Sequence, residues 1–294
     1  MDRVNVSSTM VNGVHNALSL ILAMSKAFGA FTMRAKGETF VFSCKLVAYF
    51  IVLTIGAVAV GIFEIYDLSR GNPISLPMII EIFVFCFNTL TSIIVLYLHY
   101  RLRESLPAII SELDDMDKLI GNVSYNRHYN YGVIFLSILN ALPAVFALVC
   151  RPFLWIDLIM WIVYYFFTIT TALIVGQYAI LLHILSRQLH MLSVQLNTVI
   201  CKLKVWSLIE IHHSLVLLAD RINRAYDIFL FHMITFTFVI NIMKLYFVIV
   251  YIVKPVSYTN LELMTISVAD FLFNCGCFII IVFAAMEATN SVRK

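Results

Sequence analysis

Charge is scarce in this sequence. Asp, Glu, Lys and Arg make up 13% of the 294 residues, about half the share of an ordinary soluble domain. Hydrophobic residues make up 62%, more apolar surface than a soluble chain of this length could hide. A bilayer must therefore be the solvent for much of the chain. The net charge of +3 is small, and its cations sit in short blocks between apolar runs. That placement signals membrane topology and excludes a nucleic-acid footprint.

Catalytic and conducting motifs are missing too. There is no Walker A loop, nucleophile elbow or metalloprotease signature, so an enzyme has nothing to stand on. No arginine ladder marks a voltage sensor, and no Thr-Val-Gly-Tyr-Gly filter marks a potassium pore. The first apolar stretch, Ala17–Met24, is short and closed by Lys26, so no cleavable signal peptide is expected. Of the six cysteines, Cys44, Cys86, Cys150, Cys201, Cys275 and Cys277, five lie in or beside apolar runs and read as small hydrophobes. Cys275-Gly-Cys277 has no partner at zinc-site spacing. Neither a metal nor another cofactor is expected.

What is present is a series of long apolar runs. A span needs about 20 apolar residues to cross about 30 Å of hydrocarbon. Six runs qualify: Cys44–Phe63, Pro77–Leu98, Tyr131–Cys150, Trp155–Leu182, Phe229–Val253 and Leu261–Ala285. Pro73, Pro77, Pro152 and Pro255 fall in the short connections, and Pro143 is expected to kink the third run. With the N-terminus inside, sixteen Lys and Arg lie on the cytoplasmic side and three, Arg70, Arg151 and Lys254, outside. This positive-inside bias puts both ends of the chain in the cytoplasm. The expected fold is all-α: a polytopic membrane helix bundle of six transmembrane helices. Its expected parts are a cytoplasmic segment 1–43, a membrane domain 44–285 and a cytoplasmic tail 286–294.

The two long inner connections, near 100–128 and 184–227, carry helical patterning. Leu102, Leu106, Ile109, Leu113, Met116 and Ile120 recur at steps of four and three, as do Leu185, Leu189, Leu192, Leu196, Val199, Leu203 and Trp206. Ile211, Leu215, Leu218, Ile222, Ala225 and Phe229 form a third series. Such spacing lays one apolar stripe on each helix, suited to bundle packing. The second series continues the fourth span without Pro or Gly, predicting one helix over 155–206, about 75 Å long. In Asn12–Phe31, Val14, Leu18, Ile21 and Phe28 share a face, which predicts a further cytoplasmic helix.

Two polar groupings read as neither catalytic nor metal-binding. His183, His190, His212 and His213 lie off the apolar stripes, with no Cys or carboxylate pattern nearby, and are expected to be solvated or packed. Glu112, Asp114, Asp115 and Asp117 lack the calcium-loop spacing and its glycine, and read as a solvated helix face.

Ionisable residues inside spans are costly, so each is a functional-site hypothesis. Glu81 and Asp157 lie near the outer ends of the second and fourth spans. Lys244 is nine residues before Val253, and Asp270 nine residues after Leu261, so they share a depth on consecutive spans. The expectation is that they pair or flank a water-filled cavity. Tyr164, Tyr165, Phe166 and Phe167 add bulky aromatics at the same level, where an apolar pocket with a few polar groups would suit a small ligand.

Three segments resemble an insect gustatory receptor, a member of the inverted seven-helix chemoreceptor superfamily. They are the N-terminal stretch from Ala17 to Gly29, Leu113-Asp-Asp-Met-Asp-Lys-Leu-Ile-Gly121 below the second span, and His212-His-Ser-Leu-Val-Leu-Leu-Ala-Asp-Arg-Ile-Asn223 leading to Tyr226. The resemblance implies a ligand-gated, nonselective cation channel subunit for taste compounds, in the plasma membrane of a sensory neuron. It implies a small-molecule tastant as ligand and, given a seventh helix, a homo- or hetero-tetramer with related subunits. Glu81, Asp157, Tyr164, Tyr165, Lys244 and Asp270 would then bind ligand. The family's seventh helix, with its Thr-Tyr and Gln-Phe signature, is not found before Lys294, and truncation ahead of it is expected. Two other readings stay open: a non-conducting partner of full-length receptors, and a six-helix transporter. The halves 44–150 and 155–285 show no internal repeat, which counts against the transporter.

Overall fold

In a computed structural model, the described residues are 10–27, 33–36, 39–42, 44–69, 76–121, 123–126, 128–138, 155–198, 202–253 and 258–293. Seven helices carry most of them: α1 (Val14–Ala27), α2 (Cys44–Ser69), α3 (Leu76–Ile120), α4 (128–138), α5 (Trp155–Thr198), α6 (Lys202–Val253) and α7 (Tyr258–Arg293). The fold is an all-α polytopic membrane helix bundle. Among the described residues, 168–198, 205–250 and 267–293 are helical segments long and apolar enough to cross a membrane. The remainder of the third expected span, with Pro143, lies outside the described residues.

Helix length forces the long elements out of the bilayer. At 1.5 Å per residue, α3, α5 and α6 measure about 68, 66 and 78 Å, at least twice the hydrocarbon thickness. Their polar halves pack on one another. Arg101 Nη1 of α3 meets Asp227 Oδ1 of α6 at 2.6 Å, and Glu112 of α3 pairs with Arg221 of α6. Gln188 and Gln195 of α5 donate to the carbonyls of Leu113 (2.8 Å) and Ile120 (2.6 Å) of α3. The stripes drive this packing: Leu102, Leu106, Ile109, Leu113, Leu185, Leu189, Leu192, Leu215, Leu218, Ile222 and Phe229 are all buried.

One expected element is corrected. The helix predicted over 155–206 ends at Thr198, and Lys202 already opens α6. The stripe had faded before the break, since Leu196 is exposed, and Trp206 at 74% exposure lies on the open side of α6. A four-three pattern can thus run across a helix boundary without marking it.

The central helix is α5, buried at every residue from Thr170 to Ser186. Its sequence is apolar all round over much of this stretch, as a helix enclosed by neighbours requires. Gly176 is what lets them close in. A Cβ there would lie 2.8 Å from Val133 Cγ2 of α4 and 3.0 Å from Ile21 Cδ1 of α1. Helix α1 forms as expected and buries Val14, Leu18 and Ile21, while Asn130 of α4 donates to its Ala17 carbonyl at 3.1 Å. Phe28 lies outside the described residues.

The end of α3 is pinned by Asp117, which is 2% exposed. Its carboxylate accepts from the Val123 backbone N–H at 2.9 Å and the Tyr125 hydroxyl at 2.6 Å, closing the turn at Gly121, whose φ is +110°. Burial, and then the adjoining carboxylate, push the Tyr125 phenol well above the usual tyrosine range. This corrects the acidic cluster as a solvated face. Asp115 is exposed and Asp114 half-buried, both paired with Lys118, while Asp117 is a buried anchor. Among the described residues there are also two short antiparallel ribbons that the apolar patterning does not predict. They are β1 (Met10–Asn12) with β4 (Ser124–Asn126), and β2 (Met33–Lys36) with β3 (Thr39–Phe42).

Candidate functional site

Helix α6 buries a stripe through Phe229, Met233, Thr237 and Ile240, and Lys244 continues it one turn on. Helix α7 buries Asp270, Phe273, Cys277, Ile281, Ala284 and Ala288 at the same four-three steps. Both charged residues therefore face the seam between the two helices. Lys244 Nζ lies 2.6 Å from Asp270 Oδ2, with the side chains 14% and 3% exposed. The pairing expected from matched depth is present.

Amides extend the polar seam. Asn274 donates to the Asp270 carbonyl one turn back at 2.9 Å, and Asn241 Nδ2 approaches Cys275 Sγ at 3.4 Å. A charged pair removed from water costs several kcal/mol per ion unless geometry repays it. Its 2.6 Å contact makes the seam a polar layer among apolar side chains. Such a layer can hold two helices in one register, or exchange partners with a polar ligand.

The remaining expected ligand residues are not brought to this seam by anything described. Glu81 is on α3, and Asp157, Tyr164 and Tyr165 are on the first part of α5. Their side chains lie outside the described residues.

Sequence reasoning missed a second polar contact in the apolar part of the bundle. His232 of α6 is buried, and its Nε2 lies 2.7 Å from Thr91 Oγ1 of α3. Phe87 and Phe236 stack beside the ring. The signal was available: His232 sits one turn from Phe229 and Phe236, on the buried side of α6.

A third cluster surrounds His183, which is packed, one of the two outcomes expected for it. Its partner is not a sequence neighbour: Glu287 of α7 lies against it across 104 residues of chain. His183 Nδ1 meets Glu287 Oε1 and Oε2 at 3.0 and 3.1 Å, and the Tyr129 hydroxyl donates to Oε2 at 3.0 Å. The His128 ring stands edge-on to His183, centroids 4.8 Å apart. His190, His212 and His213 are exposed, as expected.

Comparison with known proteins agrees with this architecture. No curated protein matches the chain. The family model described as 7tm Chemosensory receptor matches residues 18–294, nearly the whole chain and all seven helices except the first turn of α1. The chain belongs to the 7tm chemosensory receptor family.

Proposed function

We propose that this chain is a subunit of a ligand-gated cation channel that detects taste compounds. Membership of a chemosensory receptor family supports the receptor role, and a bilayer and a small-molecule ligand go with it. The observation that carries the site is the buried Lys244–Asp270 pair. Two opposite charges held on separate helices at one depth offer a polar ligand both a donor and an acceptor. In this reading Glu81, Asp157, Tyr164 and Tyr165 line the outer part of the same pocket, supplying polar and aromatic contacts.

The orientation belongs to the same reading. Sixteen cations on one side against three on the other support cytoplasmic ends, a cytoplasmic segment over 1–43 and a tail over 286–294. The packed halves of α3, α5 and α6 then lie in the cytoplasm. Plasma-membrane placement in a sensory neuron and tetrameric assembly with related subunits complete the proposal.

The test is whole-cell recording from cells expressing the full product of the native transcript, alone and with a related subunit, during application of a tastant panel. Cation current evoked by a tastant supports the reading. Surface protein that suppresses a related subunit's current and carries none itself would replace it with the non-conducting role.

A further inference from the structure

Three side chains that can each ligate a metal converge where α4, α5 and α7 meet: His128, His183 and Glu287. One ligand atom from each lies within 4.8 Å of the other two. We propose that these residues form a binding site for a divalent transition-metal ion, with Zn²⁺ the best match to the donor set.

Two imidazoles and a carboxylate are a known zinc donor set, which leaves a fourth position for water. At metal–ligand distances near 2.0–2.1 Å, tetrahedral ligand atoms stand roughly 3.3 Å apart. The cluster therefore has to contract by roughly 1.5 Å at its widest separation. His128 is exposed, and a change of its side-chain rotamer would supply that movement.

Hydrogen bonds hold Glu287 in place. Ser186 of α5 donates to the Glu287 carbonyl at 3.2 Å, and Ser186 and Ser291 hydroxyls meet at 2.7 Å. The Tyr129 hydroxyl orients the carboxylate, the role that outer hydrogen bonds play around metal ligands. His183 is 4% exposed and turns Nδ1 toward Glu287 at 3.0 Å, so Nδ1 is the nitrogen that would ligate, the ion taking the place of that hydrogen bond.

Bound there, the ion would join the first turn of α4, the middle of α5 and the end of α7. It would act as a clip across the bundle, separate from the Lys244–Asp270 seam. Glu287 lies 17 residues along α7 from Asp270, about 25 Å at helical rise.

The test uses the full chain in lipid nanodiscs, stripped with chelator and titrated with Zn²⁺ or Co²⁺. The expected result is one ion bound per chain, with visible Co²⁺ bands of a tetrahedral nitrogen–oxygen site and no thiolate charge-transfer band. Glu287→Gln keeps an acceptor for His183 and loses the anionic ligand, and His128→Asn alters an exposed residue. Each should weaken Zn²⁺ binding at least 100-fold. Tyr129→Phe should weaken it about 10-fold. Zn²⁺ should raise the unfolding temperature of the parent chain by several degrees and leave that of Glu287→Gln unchanged. Equal Zn²⁺ affinity in the parent, Glu287→Gln and His128→Asn chains would overturn the proposal. So would a parent chain that binds no Zn²⁺, or one whose Co²⁺ spectrum shows thiolate ligation.

Discussion

Replacing Asp270 by Leu should destabilise the bundle far more than replacing Asp270 and Lys244 together. Asp270 is 3% exposed and Lys244 14%, so solvent screens the pair little. Removing Asp270 leaves the Lys244 charge largely buried and without its carboxylate, a loss of about 3–5 kcal/mol. Against a total native stability on the order of 5–15 kcal/mol, that is enough to deplete folded protein at the cell surface. Lys244→Met should cost a similar amount. The double variant Lys244→Met/Asp270→Leu removes both charges and keeps similar volume, so it should fall within about 1 kcal/mol of the parent or exceed it. The assay is thermal unfolding of fluorescently tagged protein in nanodiscs, followed by size exclusion, alongside the surface-expressed fraction. A double variant whose loss equals the sum of the two single losses would refute the pairing argument. Single variants as stable as the parent would refute it as well.

Other consequences are open to similar measurement. Asp117→Asn weakens the acceptor for Val123 and Tyr125 and should cost about 1–3 kcal/mol, read as faster tryptic cleavage at Lys118. Gly176→Ala places a methyl 2.8 Å from the stiff Val133 side chain and should cost about 1–3 kcal/mol in thermal unfolding, with Gly176→Val worse. A double-mutant cycle with Thr91→Val and His232→Phe should return a coupling of about 0.6–1.7 kcal/mol, the range for hydrogen bonds between membrane helices. Trp206→Ala, at a side chain 74% exposed, should leave the unfolding temperature within a degree or two.

Periodicity carried much of the fold because it records which face of a helix is buried. Leu106, Leu113, Leu189, Leu215, Leu218 and Ile222 all occupy the buried places that spacing alone marks out. Lys244 and Asp270 could be matched because consecutive antiparallel spans put equal distances from a shared turn at equal depth. Spacing does not say which helix a face will meet. His128, His183 and Glu287 come from three elements separated by most of the chain, so no local pattern joins them. Asp117 looked solvated because its neighbours Asp114 and Asp115 are charged too, but a helix turns 100° per residue and carries Asp117 to the buried side. The break after Thr198 carried no Pro or Gly, and the ribbon of β1 with β4 depends on pairing between distant segments.

A tastant dose–response for the parent and Lys244→Met/Asp270→Leu chains, matched for surface expression, asks directly whether the seam binds ligand. If the seam binds ligand, the double variant should need at least 10-fold more tastant for half-maximal current, or lose its response, while remaining folded at the surface. An unchanged half-maximal concentration and maximal current would contradict the assignment and leave the pair a packing element alone.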